Sequence, residues 1–161
     1  MKLLLLWAGR TRDRNIGAAI EGYIERIGRY LPVEVVEVKE ESGADRHSQA
    51  EAQVKEGRRL REKIPRSCEV VVLDPEGREL SSEQFAGFLE TRFNSSSSRV
   101  KGLAFIVGGH LGLDGQTREA ADHTLSLSRM TLTHEMARLV VVEQIYRGLS
   151  ILRNERYHRG S

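Results

Sequence analysis

The chain has 161 residues, 39% hydrophobic and 30% charged, with a formal net charge of +2. That is enough for one ordinary globular domain with its own core, and it excludes a disordered or fibrous protein. A single cysteine, Cys68, excludes an internal disulfide and argues against a cysteine-built zinc site, and no apolar run approaches the ~20 residues of a membrane span.

Residues 2–8 (KLLLLWA) form a continuous apolar run, fit for a strand buried on both faces. Arg10, Arg12, Asp13 and Arg14 follow at once with no small-residue cleavage pattern, so a first strand of a cytoplasmic protein is expected rather than a signal peptide. Ile16, Ala19, Ile20, Tyr23, Ile24 and Ile27 recur at helical spacing and predict a helix over 13–30, ended by Pro32. VEVVEV at 33–38 alternates, as a strand with one wetter face near the sheet edge does. Residues 47–63 predict a polar, solvated helix with a thin apolar stripe of Ala50, Val54, Leu60 and Ile64.

EVVVLD at 69–74 reads as a second buried strand, with Cys68 as a strand cysteine, and Pro75-Glu76-Gly77-Arg78 as a turn. A helix over 81–93 opens on a Ser cap and buries Phe85, Phe88, Leu89 and Phe93. NSSSS at 94–98 is a loop, and 100–107 a third buried strand. A Gly-rich loop, a short helix over 116–122 and a short strand over 124–128 follow. Thr133 then caps a last helix over 135–152. Strands and helices alternate throughout, which predicts an α/β fold with a mostly parallel sheet covered on both faces.

Charge is unevenly spread. Residues 1–32 and 129–161 are each +3 and the middle is −4, so termini that meet in space would form a positive face suited to a polyanion.

The stretch 104–138 carries two strand-end loops, at 108–112 and 128–133, and ligand sites of open parallel sheets lie at strand C-terminal ends. The usual nucleotide signatures are missing. GRTRDRN after the first strand is no GxGxxG, and there is no GxxxxGK[ST] phosphate loop. Gly108, Gly109 and Gly112 would let backbone approach a flat ligand. Residues 128–133 offer backbone groups beside apolar Met130 and Leu132, which suits an adenine edge and a thioether rather than activation of a water. His47, His110, His123, His134 and His158 are scattered. His134 and Arg138 share a helix face at i,i+4 without a third ligand placed by spacing, so no metal is expected.

Five segments in order carry a resemblance: KLLLLWAGRT, VVVLDPEGRELSSEQFA, FIVGGHLGL, LSLSRMTLTHEMARLVVVEQIYRG and the ending YHRG. End to end, the chain resembles the bacterial 23S rRNA pseudouridine N3-methyltransferases, small single-domain members of the SPOUT superfamily. The resemblance implies one SPOUT domain over 1–161, with a deep C-terminal trefoil knot over about residues 104–161, an exception to unknotted topology. It implies S-adenosyl-L-methionine as cofactor, held by Leu73, Gly108, Ser128, Arg129, Met130, Thr131, Leu132 and Thr133. It also implies a homodimer with its sites at the subunit interface. The reaction would place a methyl group on N3 of a pseudouridine in the helix 69 loop of 23S rRNA, in the large subunit or the assembled ribosome.

His158 is the candidate proton acceptor or orienter, and Tyr157 a group that stacks on or hydrogen-bonds the base. Arg159 and Arg138 are candidates for phosphate or uracil-carbonyl contacts. His110 and Arg156 depart from the family pattern, which has Pro or Ala at the first position and Pro at the second. Two alternatives belong to other classes: a non-catalytic rRNA- or ribosome-binding protein with a vestigial pocket, and a different nucleotide-using α/β enzyme.

Overall fold

Apolar runs long enough to be buried on both faces become the centre of a sheet. The strands are β1 (Lys2–Ala8), β2 (Val33–Val38), β3 (Cys68–Glu79), β4 (Gly102–Val107) and β5 (His123–Ser126). The helices are α1 (Arg14–Gly28), α2 (Arg46–Glu62), α3 (Ser82–Phe93), α4 (Gly115–Glu119) and α5 (His134–Leu152). The computed structural model describes residues 1–94, 100–155 and 157. All five strands are parallel, in the order β2-β1-β4-β3-β5. The wet-faced VEVVEV strand stands at one edge, as its alternation predicts, with Glu34 and Glu37 exposed.

The period-2 alternation divides each central strand between two layers. Leu3, Leu5 and Trp7 of β1 join Leu103, Phe105 and Val107 of β4 under α1, α3 and α5, whose Ile20, Ile27, Phe85, Leu89, Val141 and Ile145 fill that side. Leu4, Leu6 and Ala8 join Ala104 and Ile106 on the other side, against Leu60 of α2 and Leu113. Helix starts follow their caps. Asp13 accepts from the backbone N–H groups of Asn15 and Ile16, Ser81 and Gln84 form a reciprocal capping box, and Thr133 accepts from Met136.

Four local expectations change. The turn expected at 75–78 is a bulge inside a longer β3: the partner of Leu125 shifts from Leu73 to Arg78. Asp74 Oδ1 accepts from the Glu76 N–H at 2.9 Å inside the bulge, and the chain then rejoins β5. On α2, Leu60 of the predicted stripe is buried and Ile64 packs beside it, but Ala50 is exposed, Val54 is 49% exposed, and Ala52, Glu56 and Gly57 complete the buried face. The reason is polar docking. Gly57 lies so close to Asp114 and Thr117 that a Cβ would overlap them, and Arg61 Nη1 donates to Asp114 at 3.0 Å. The helix expected over 116–122 stops at Glu119, because Asp122 is bonded to the backbone of Val70 through both its N–H and its carboxylate, at 2.9 and 2.7 Å. β5 runs over His123–Ser126 rather than 124–128, and Ser126 Oγ then donates to the Ser128 carbonyl at 3.1 Å and turns the chain.

Candidate functional site

The C-terminal ends of β3, β4 and β5 meet the first turn of α5 around a cavity of about 430 Å³. One wall is Leu73, Asp74 and Pro75, where β3 enters its bulge. The base is the end of β4 and its glycine loop: Val107, Gly108, Gly109, Gly112 and Leu113. The opposite wall is Leu127, Ser128, Met130 and Leu132 after β5, closed by Thr133, His134 and Ala137.

The glycines shape the base. Gly112 has φ +77°, a conformation other residues rarely adopt, and its N–H bonds the Gly109 carbonyl at 3.0 Å to close the loop. A Cβ on Gly108 would stand 3.0 Å from the Gly112 carbonyl carbon and 3.2 Å from Leu113 Cγ. Helix α2 holds the loop from outside, with Gln53 Nε2 donating to the Leu111 carbonyl at 2.6 Å. The β5 loop is held by its own serine: Ser128 Oγ accepts from Met130 N at 2.9 Å, and Met130 itself is 79% exposed.

Of the residues the resemblance assigns to the cofactor, Leu73, Gly108, Ser128, Met130, Leu132 and Thr133 line this cavity. Arg129 and Thr131 sit exposed on the same loop outside its lining. The sequence reading did not single out Asp74, Pro75, Val107, Leu127, His134 or Ala137 as lining. The strand-end rule that located the loops also marks the last residues of each strand. His134 and Ala137 come from the helix whose cap, Thr133, the sequence does show.

At the cavity mouth His110 Nδ1 lies 2.8 Å from Glu40 Oε1, and Arg12 Nη2 donates to Glu40 Oε2 at 3.0 Å. Burial pushes the Glu40 carboxyl up, but the His110 hydrogen bond and the Arg12 charge outweigh it and leave the group below the ordinary carboxylate range. His134 faces His110 with ring centroids 6.4 Å apart, and burial plus the Arg138 charge lower its pKa. Beneath the glycine loop, Glu56 is 2% exposed; one carboxylate oxygen accepts from the Glu41 N–H at 2.7 Å and the other has no partner among the described residues.

Arg138 is fully buried. Its Nη2 donates to the Ala8 carbonyl at 2.5 Å and its Nη1 to Thr11 Oγ1 at 3.1 Å, with the guanidinium 5.3 Å from the Trp7 ring. It ties the first turns of α5 to the end of β1 instead of standing at a surface open to RNA. Glu135 reinforces the tie by accepting from the N–H groups of Arg12 and Asp13 at 2.6 and 3.1 Å.

Tyr157 lies on α1 and α5, its hydroxyl 2.9 Å from that of Tyr23, and His158 and Arg159 lie outside the described residues. The packing of α1 on α5 brings the two basic end segments together, with Arg26, Arg147 and Arg153 around the same tyrosines. Among the described residues, no three or more His, Cys, Asp or Glu side chains gather as a metal would need, and no helix is long and apolar enough to cross a membrane.

The chain is similar to three proteins named Ribosomal RNA large subunit methyltransferase H. Identity is 45% over 158 residues with that of Syntrophotalea carbinolica and 41% over 158 with that of Geotalea uraniireducens, and each alignment covers 98% of this chain and 99% of the relative. With that of Geobacter sulfurreducens it is 40% over 159 residues, at the same coverage. A family model described as "Predicted SPOUT methyltransferase" matches residues 1–158, a span that takes in both loops of the cavity and the docked Tyr157. A parallel α/β sheet, a glycine-based cavity at its strand ends and that full-length match agree: the chain belongs to the SPOUT methyltransferase family.

Proposed function

We propose that this methyltransferase uses S-adenosylmethionine to methylate N3 of a pseudouridine in the helix 69 loop of 23S rRNA, acting in the cytoplasm as a homodimer. The observation that carries the reading is the glycine-based cavity of about 430 Å³ at the ends of β3, β4 and β5. It lies in a chain whose full-length relatives are named for the large-subunit rRNA. The residues fit the cofactor: a Cβ at Gly108 would meet the Gly112 backbone and Leu113 at the cavity base, while Leu73, Leu127 and Leu132 offer apolar walls beside backbone edges. That volume is of the size small-ligand pockets have. The knot over about residues 104–161 belongs to the same proposal.

When bound, the cofactor supplies a methyl group on a sulfonium, already electrophilic. The chain's task is then alignment of the two reactants and management of the N3 proton. Leu73, Gly108, Ser128, Met130, Leu132 and Thr133 bind the donor. Arg138 is a positioning residue, since its two hydrogen bonds fix the start of α5, and with it Thr133, His134 and Ala137, against β1. Tyr157, the sequence candidate for stacking on the base, instead anchors the tail, since its ring packs on Tyr146 and its hydroxyl meets Tyr23 and Glu143; His158 accepts or orients the N3 proton, and Arg159 contacts phosphate. The basic segments joined by α1 and α5 supply the attraction to RNA.

The tail belongs to the neighbour's site. Tyr157 packs beside Glu143, Tyr146 and Arg147, six to ten residues beyond Ala137 on α5, which at about 1.5 Å per residue is roughly 9–15 Å along the helix from the cavity.

Isothermal titration with S-adenosylmethionine and mapping of rRNA from a deletion strain test the reading. Binding, and loss of the helix 69 modification in that strain, are expected. A chain that binds no cofactor would instead be a ribosome-binding module. Removing residues 157–161 should abolish methylation and spare cofactor binding, and full activity of the shortened chain would refute the tail's role.

A further inference from the structure

All four tyrosines of this chain, Tyr23, Tyr30, Tyr146 and Tyr157, meet on one surface. Tyr146 of α5 is the hub, with ring centroids 5.9 Å from Tyr23, 6.1 Å from Tyr30 and 4.6 Å from Tyr157. Three arginines lie against the rings: Arg26 over Tyr23 at 5.3 Å, Arg153 over Tyr30 at 5.5 Å and Arg147 over Tyr157 at 5.1 Å. Packing alone would be served by phenylalanine; here the hydroxyls are engaged, and in one direction. Tyr23 of α1 and Tyr30, just past its end, both bond residues after the end of α5. Tyr30 donates to the Glu155 carboxylate, and the Tyr23 and Tyr157 hydroxyls are 2.9 Å apart. Tyr157 also donates to Glu143 Oε1 at 3.3 Å, a carboxylate already fixed by Arg147 at 2.6 and 2.9 Å.

The chain is bent to make these contacts. Asn154 has φ +54°, and the Glu155 N–H returns to the Ser150 carbonyl at 2.9 Å, so the backbone leaves α5 by a sharp turn. Burial, then the hydrogen bond with Tyr23, raises the Tyr157 pKa.

We infer that Tyr23 and Tyr30 are positioning residues for methyl transfer: their hydroxyls clamp Tyr157 and Glu155 against α1 and the segment just after it, and so fix the point from which the tail starts. The inference rests on the reading that the tail enters the methyl-transfer site. Neither tyrosine lines the donor cavity, so both act through the tail. Fixing the root of the tail at Glu155 and Tyr157 removes conformational freedom that alignment would otherwise have to pay, and misplacement by an ångström costs orders of magnitude in rate.

The test uses full-length Tyr23→Phe, Tyr30→Phe and the double variant, which keep every ring and remove only hydroxyls. Methylation of unmethylated ribosomes gives kcat and KM, titration gives S-adenosylmethionine affinity, deuterium exchange reports residues 153–161, and melting reports the fold. The double variant should lose roughly tenfold in kcat, keep cofactor affinity within about twofold, and exchange faster in the tail. Wild-type kcat with a loosened tail overturns the inference, as does a kcat loss that merely tracks a lower melting temperature or weaker cofactor binding. A chain lacking residues 157–161 separates the two claims. If it is inactive while the double variant is fully active, only the clamp fails; if it is fully active, the tail reading itself fails.

Discussion

At Gly108 and Glu56 single atoms decide what the loop after β4 can do. The missing side chain at Gly108 keeps the cavity base open, since a Cβ there would already press on the Gly112 carbonyl carbon at 3.0 Å. Gly108→Val should therefore weaken S-adenosylmethionine binding by roughly tenfold or more, while β4 keeps its pairing and the protein still melts cooperatively. Titration calorimetry beside a melting curve checks both halves. Glu56 works in the opposite sense. Burial raises its pKa, only partly offset by the Glu41 N–H and the His110 charge, with Glu40 and Glu41 adding repulsion. A folded-state carboxyl that titrates above its unfolded value holds its proton more tightly when native. Its ionisation therefore removes stability as pH rises from the ordinary glutamate range through the folded value. Glu56→Gln should raise the melting temperature at neutral pH by a few degrees, and the gain should vanish on acidification to about pH 4. An equal gain at every pH would show that charge is not its cause.

Among the elements, β3 does more than a strand of its length need do. After the bulge at Asp74–Glu76 it returns to pair with β5, and Gly77 passes so close that a Cβ would lie 2.5 Å from the Leu125 carbonyl carbon. Leu127 and Ser128, two and three residues further on, form a cavity wall. Gly77→Ala should push the end of β3 off β5, reduce cofactor affinity several-fold and leave β1, β4 and α1 as stable as before; hydrogen exchange resolved by peptide distinguishes that from global loss. The bulge shows why part of the site was illegible. Pro75-Glu76-Gly77 has turn composition, and composition cannot tell a turn that ends a strand from one that interrupts it. That distinction depends on what β5 presents forty-eight residues later, Leu125 against Gly77. The helix α2 was legible, but part of its buried face was not, for a related reason. Periodicity looks for apolar stripes, while this helix docks Gly57 and Arg61 against Asp114 and Thr117 and buries Glu56 beside the glycine loop. The apolar strands, by contrast, needed no distant partner: β1 at 2–8 and β2 at 33–38 were readable to the residue because both their burial and their alternation are local. So were the caps Ser81 and Thr133. Arg138 lay between these cases. Spacing placed it on the face of His134, but only the fold shows that this face turns toward Ala8 and Thr11.

In the whole molecule, the donor cavity sits at the start of α5, and the tail docks farther along the same helix, against α1. If the tail serves the partner's cavity, two defective chains can repair each other. A Gly108→Val chain has an impaired cavity and a sound tail; a chain lacking residues 157–161 has the reverse. With S-adenosylmethionine held well below the Kd of the impaired cavity, each alone should be nearly inactive. In a mixed dimer, one of the two composite sites combines the sound cavity of the shortened chain with the sound tail of its partner, and the other combines both defects. Random pairing of equal amounts makes half the dimers mixed, so the mixture should recover about one quarter of wild-type methylation per site. Recovery requires mixed dimers, so separately purified dimers combined for a time short against subunit exchange should restore nothing, whereas co-expressed chains should recover. If instead the tail serves the cavity of its own chain, every site in every dimer carries one defect, and the co-expressed mixture stays as inactive as its components.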